Sequence, residues 1–164
     1  MSAKISQCGR YRWVLTRRVT GRITSHKIKP GKLLWVMLNP STADAEVDDA
    51  TIRKITGFAR SWGYREFVVV NLYAYRATDP SELRDVRDPV GVENDAWIYA
   101  ASVRASMVIL GWGNEADPVR AKAVVDILTT DNPVLYCLGV NKNGSPKHPL
   151  YLKGTSVPEI WEAA

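Results

Sequence analysis

The chain has 164 residues, of which 46% are hydrophobic and 24% charged. That suits a single domain with its own core and excludes an intrinsically disordered chain. No apolar run approaches the ~20 residues of a membrane-spanning helix, and the N-terminus lacks the apolar stretch of a signal peptide, so a cytoplasmic protein with no membrane partner is expected.

Lys and Arg number 22 against 17 Asp and Glu, a net charge of +5 that permits a polyanionic partner without requiring one. The two cysteines, Cys8 and Cys137, supply neither a disulfide framework nor a four-ligand zinc set. Cys137 sits in an apolar run and reads as a small buried hydrophobe.

The basic residues are concentrated near the front. Residues 9–33 contain Arg10, Arg12, Arg17, Arg18, Arg22, Lys27, Lys29 and Lys32 and no acid. Within this stretch Tyr11-Arg-Trp-Val-Leu-Thr alternates large and polar residues like a half-buried strand. Thr20-Gly21 offers a turn, and Arg22–Ile28 a returning strand. A hairpin over 9–32 is therefore expected, either as a charged sheet edge or as a phosphate-facing patch.

Four short apolar runs follow: Leu33–Leu38, Phe67–Leu72, Met107–Gly111 and Val134–Leu138. Runs of this length without polar alternation fit strands buried on both faces, as in a parallel sheet. Helical patterns separate them. Residues 49–62 place Ile52, Ile55, Phe58, Ala59 and Trp62 on one side. Residues 91–105 do the same with Val92, Ala96, Tyr99, Ala100 and Val103, and 117–128 with Val119, Ala123, Val124 and Ile127. Asp117-Pro118 reads as an N-cap followed by proline in the first turn. The order predicts a single α/β domain. It is a three-layer α/β/α sandwich with a mainly parallel central sheet over residues 33–152, preceded by the N-terminal β-hairpin.

In such sheets ligands bind beyond the carboxyl ends of the strands. The runs end in Asn39-Pro-Ser-Thr-Ala-Asp44, in Asn71-Leu-Tyr-Ala-Tyr, in Gly111-Trp-Gly-Asn114, and in a long loop leading to Lys147-His-Pro-Leu-Tyr151. Amides, glycines and one histidine thus gather at one end of the expected sheet. The chemistry is narrow: no nucleophile elbow, P-loop or dinucleotide fingerprint is present, and His26 and His148 have no metal-ligand spacing with the cysteines. An amide reads a nucleobase edge through a donor and an acceptor, and a histidine stabilises a developing anion. Structural alternatives stay open. Asn39-Pro40 also fits a plain strand end, Asn71 a satisfied buried amide, and Gly111-Trp-Gly a close-packing seat. His148 also fits a surface loop, and Asp48 or Asp49 the N-cap of the next helix.

Together these strand ends resemble the uracil-DNA glycosylase superfamily. Met37-Leu-Asn-Pro-Ser41 is similar to its first motif as found in the mismatch-specific branch, Val69-Val-Asn-Leu-Tyr73 to the strand whose Asn pairs with the base, Ile109-Leu-Gly-Trp-Gly113 to its next strand end, and His148-Pro-Leu-Tyr-Leu152 to its closing His-Pro motif. The Asn-Pro-Ser-Thr-Ala stretch also resembles the signature of a bacterial and phage domain-of-unknown-function family.

The superfamily resemblance implies hydrolysis of an N-glycosidic bond with no metal or redox cofactor. Asn39 would position the attacking water, Asn71 would read the base, and His148 would stand beside the leaving base. Outside the family pattern, the acids that follow Asn39 either supply a general base, for which Asp44 is the candidate, or discourage a polyanion from approaching. Pro40, Ser41, Thr42, Tyr73, Gly111, Trp112, Leu150 and Tyr151 would contact the substrate, and Arg17, Arg18, Arg22, Lys142 and Lys147 would meet phosphates. Met37 replaces the glycine that opens the family motif, and acids follow Asn39 in this chain. The expected partner is accordingly DNA carrying an altered base, or a free nucleotide or nucleoside. A non-catalytic nucleic-acid or nucleotide binder is the remaining alternative.

Overall fold

The computed structural model describes residues 2–41, 48–132 and 134–162. Among them the strands form one seven-stranded sheet: β1 (Ser2–Ile5), β2 (Arg12–Arg18), β3 (Lys32–Met37), β4 (Glu66–Asn71), β5 (Ala105–Leu110), β6 (Tyr136–Cys137) and β7 (Glu159–Ile160). Their spatial order is β1-β2-β4-β3-β5-β6-β7. The helices are α1 (Ala50–Trp62), α2 (Asn94–Ser102) and α3 (Pro118–Thr129). No helix among the described residues is long and apolar enough to cross a membrane.

The expectation of a mainly parallel sheet with a separate hairpin is corrected. The pairings β4–β3, β3–β5 and β5–β6 are parallel, but β1–β2, β2–β4 and β6–β7 are antiparallel, so the sheet is mixed. The N-terminal hairpin is also built differently. β2 pairs with the residues before it, β1, rather than with Arg22–Ile28, and its other edge covers β4. Residues 22–29 instead turn their backbone toward the end of α1, where Thr24 N–H donates to Arg60 O (3.3 Å) and Lys29 N–H to Gly63 O (2.9 Å). With those donors engaged, the segment has no ladder to offer β2. Gly63 closes α1 in the left-handed region (φ 91°), where a Cβ would collide with Lys27 O.

The apolar runs fill both faces of the sheet because β3, β4 and β5 lie at its centre. Leu33, Trp35, Met37, Phe67, Val69 and Ile109 pack with Ile52, Ile55, Phe58 and Ala59 of α1. Leu34, Val36, Val68, Val70, Val108 and Leu110 pack on the other face with Ile98 of α2 and Val124 and Leu128 of α3. Trp62 completes the α1 side by stacking on Trp35 at 5.9 Å.

α2 presents a different face from the one its apolar residues suggest. Val92, Tyr99 and Val103 are exposed, and the buried positions are Asn94, Ile98 and Ser102. Asn94 takes the inward position because its Nδ2 donates to the carbonyls of Asn71 (3.0 Å) and Leu72 (3.1 Å), which tie α2 to the end of β4. Removing a buried partner of this kind costs roughly 1–3 kcal/mol. Asn94→Ala is expected to lower the unfolding free energy by that amount, read as a lower urea midpoint with an unchanged slope. Val92→Ala, at a 98% exposed position, is expected to stay within about 0.5 kcal/mol of the parent.

Candidate functional site

The parallel ladder continues just past the ends of the central strands. Leu72 N–H donates to Met37 O (2.9 Å), Tyr73 N–H to Leu38 O (3.0 Å) and Gly111 N–H to Val36 O (2.9 Å). Three strand ends are therefore held level. β3 and β5 are also neighbours whose connections leave on opposite faces, toward α1 and α3, which is where open α/β sheets form a crevice. A cavity of about 370 Å³ lies there, lined among others by Asn39, Asn71, Trp112 and His148.

Asn39 is held by its amide nitrogen, which donates to the carbonyls of Ala77 (2.8 Å) and Pro40 (3.2 Å). Its Oδ1 is then the group it offers the cavity. Asn71 shares the α1 face with Phe67 and Val69. It is 2% exposed, and its Nδ2 has no hydrogen-bond partner among the described residues.

Beyond β5, Gly113 (φ 79°) runs close beneath His148, and its N–H donates to Pro146 O (3.0 Å). Gly111 is a packing seat rather than a lining residue: a Cβ there would meet Pro149 Cδ at 3.1 Å and Met37 Sδ at 3.2 Å.

The loop before His148 folds on itself. Val140 bridges Pro146, Asn141 N–H donates to Ser145 O (2.8 Å), and Lys147 N–H donates to Gly139 O (2.8 Å). This delivers His148 as the N-cap of a 3₁₀ turn over Pro149–Tyr151, where its Nδ1 accepts from Leu150 N–H at 3.3 Å. With Nδ1 an acceptor, the neutral ring carries its proton on Nε2. Burial pushes the imidazole pKa down, and Asp49 opposes this more weakly. His148 is thus a neutral N–H donor near neutral pH. Asp49 lines the same cavity as the N-cap of α1. Its Oδ1 accepts from Ile52 N–H (2.8 Å) and its Oδ2 from Ser41 Oγ (3.0 Å).

The other expected positions divide. Ser41, Trp112 and Tyr151 line the cavity; Tyr151 is exposed at its mouth, its ring 5.7 Å from that of His148. Pro40 and Leu150 frame the site through their backbones. Tyr73 belongs to a separate cavity of about 430 Å³ with Leu83, Arg84 and Asp117. Arg17 is buried and paired with Asp48 at 2.8 Å, while Arg18, Arg22, Lys142 and Lys147 are exposed and do not line the site. Thr42 and Asp44 lie outside the described residues. Among the described residues, no three His, Cys, Asp or Glu side chains cluster as a metal centre would require.

The residue that sequence reasoning missed is Arg12, which lines the cavity while only 5% exposed. Strict alternation from Leu15, which packs against α1, would put Arg12 on the opposite face. The β1–β2 register instead slips by one residue at Trp13: Lys4 faces Val14, and Ile5 faces Arg12. Trp13 and Val14 both lie on the α2 side, Trp13 stacked on Trp97 at 6.2 Å. A bulge re-aims the side chain that follows or precedes it, and here it turns Arg12 into the site.

The fold and the site define an α/β protein with a polar ligand cavity at the carboxyl ends of its parallel strands. The chain belongs to the family described as protein of unknown function (DUF1643), which matches residues 12–150. No curated protein and no solved structure gives a significant match.

The neutral state of His148 has a pH signature. Its pKa lies below the ordinary 6.5 when folded, so the unfolded chain binds more protons near and below that pH. Its contribution to stability is full above 6.5 and declines as the pH falls through that value toward the folded pKa. NMR titration of the imidazole is expected to give a midpoint below 6.5, and His148→Gln is expected to flatten that part of the stability–pH profile. A midpoint at or above 6.5 would contradict the neutral donor.

Proposed function

We propose that this cavity receives a nucleobase and that the protein hydrolyses its N-glycosidic bond, in the manner of the uracil-DNA glycosylase superfamily its motifs resemble. The observation that carries this reading is that Asn39, Asn71 and His148, from three distant stretches of chain, line one cavity of about 370 Å³. That volume suits a small ligand group. Asn71 Nδ2 donates to an acceptor on the base edge, which gives a buried donor its partner. Asn39 Oδ1 accepts from the attacking water.

As the bond from the anomeric carbon to the base nitrogen breaks, its electron pair leaves with the base, and His148 Nε2–H donates to the resulting anion. The water oxygen bonds to the anomeric carbon. Its proton passes to a carboxylate, for which Asp49 is placed among the described residues; it keeps acceptor capacity beside its two existing hydrogen bonds. Catalysis is then mainly electrostatic placement.

A free nucleotide or nucleoside is favoured over duplex DNA by one observation. Asp49 and Glu115 line the cavity, whereas Arg18, Arg22, Lys142 and Lys147 do not. The cation among the described lining residues, Arg12, is buried in the cavity wall, so the site can meet a small ligand's charge but presents no exposed cations to a polyanionic backbone.

The test is release of free base, followed by mass spectrometry, from modified-base oligonucleotides (single-stranded and duplex) and from free nucleosides and nucleotides. Release is expected from at least one substrate class, with Asn39→Ala and His148→Ala each reducing it about 10²-fold or more. No release from any class would remove the hydrolase reading.

A further inference from the structure

A guanidinium cannot lose its proton to escape burial at ordinary pH. Arg12 nevertheless lies buried in the wall of the cavity, and its Nε has no hydrogen-bond partner among the described residues. None of the ion pairs formed among the described residues includes it. Burial, and then the charge of Arg76, pull its pKa down to about 10, which leaves it cationic at neutral pH. Asp49 is the carboxylate that acts on it favourably, but that side chain is already held by the Ile52 amide and the Ser41 hydroxyl.

Asn71 adds a second buried donor to the same cavity, also without a partner. Arginine offers donors only, and the unpartnered atom of Asn71 is its amide nitrogen. An occupant must therefore bring acceptors. A neutral carbonyl would satisfy Asn71 but leave the charge of Arg12 uncompensated. A carboxylate or phosphate oxygen pair answers both, and a planar guanidinium matches either in fork geometry. The bulge at Trp13 is the feature of β2 that aims Arg12 at this point.

We propose that the buried part of the cavity, at Arg12 and Asn71, is an oxyanion subsite. The ligand carries a compact carboxylate or phosphate group: either an acidic nucleobase derivative, whose carboxylate is then the base-edge acceptor of Asn71, or a nucleotide, whose phosphate takes the place of the base edge at Asn71. This rests on the nucleobase reading only for the remainder of the ligand.

Calorimetric titration of the full chain at one fixed ionic strength tests it with matched probes: uracil against uracil 6-carboxylate, deoxyuridine against its 5′-monophosphate, and inorganic phosphate alone. In at least one pair the anionic member is expected to bind about tenfold tighter or more, and Arg12→Met is expected to abolish that advantage. The pair that responds tells carboxylate from phosphate. Ligand-free Arg12→Met is expected to keep or raise Tm, because it removes a buried unpaired charge. Should that variant not fold, Arg12→Gln carries the same comparison.

Equal affinities within both pairs, an anion preference that survives in the folded Arg12 variant, or no Arg12-dependent binding of any anion each overturns the subsite. Neutral deoxyuridine binding that depends on Asn71, without an anion preference, would keep the nucleobase reading and reject this one. Arg12-dependent binding of phosphate, with the base contributing nothing, would do the reverse.

Discussion

The carboxyl ends of β3, β4 and β5 are held level by backbone hydrogen bonds that run past the strands, and the site depends on this. The Leu72–Met37, Tyr73–Leu38 and Gly111–Val36 bonds fix where Asn39, Asn71 and Trp112 emerge. The bonds hold because β3 is covered on both faces, by α1 on one side and by α2 and α3 on the other. Parallel strands buried in this way cannot slip by one residue without turning every side chain to the wrong face. Asn94 extends the same control to β4: its amide takes up the carbonyls of Asn71 and Leu72, where the ladder gives out. The positions of the site amides are therefore a property of the sheet, not of mobile loops.

On that frame the cavity is polarised. Arg12, Asn71 Nδ2 and His148 Nε2 present donors, while Asn39 Oδ1 and Asp49 present acceptors. The two sets arise for different reasons. Asn39 exposes its oxygen because its nitrogen is bound to Ala77 and Pro40, and His148 exposes Nε2–H because Nδ1 caps the Pro149–Tyr151 turn. Local turn geometry thus selects which atom of each ambidentate side chain faces the ligand. Buried donors without partners carry an energetic penalty in the empty protein, and a ligand that supplies acceptors relieves it. Binding strength and specificity then have the same origin.

Much of this arrangement is legible in the sequence. The first three apolar runs mark the central strands and the fourth marks β6, and Asn39, Asn71, Trp112, Gly113 and His148 after or at their ends line the cavity, because two-sided burial and strand-end chemistry both leave local patterns. What is not legible depends on pairing. The Tyr11–Thr16 stretch reads as an alternating strand, but nothing in it announces that Trp13 is bulged, so nothing sets Arg12 apart from the other basic residues of 9–33. Arg22–Ile28 looks like the return strand of a hairpin; in the structure Ser2–Ile5 fills that place and the loop bonds to the end of α1. In α2 the valines suggest one buried face, but Asn94 points inward, where its amide nitrogen donates to the Asn71 and Leu72 carbonyls at the end of β4. Each of these misreadings concerns a polar backbone or side-chain group whose partner is distant in sequence.

The net charge of +5 gains meaning from the same placement. Arg17 is neutralised by Asp48 beside α1, and Arg18, Arg22, Lys142 and Lys147 are exposed and screened by solvent and salt. One guanidinium in the cavity wall is desolvated, so its field reaches a ligand with little screening. In the proposed subsite a buried Arg12 would therefore influence ligand choice more than the surface excess does. The chain's total charge does not locate this desolvated cation, whereas the one-residue slip between β1 and β2 accounts for its place in the cavity wall.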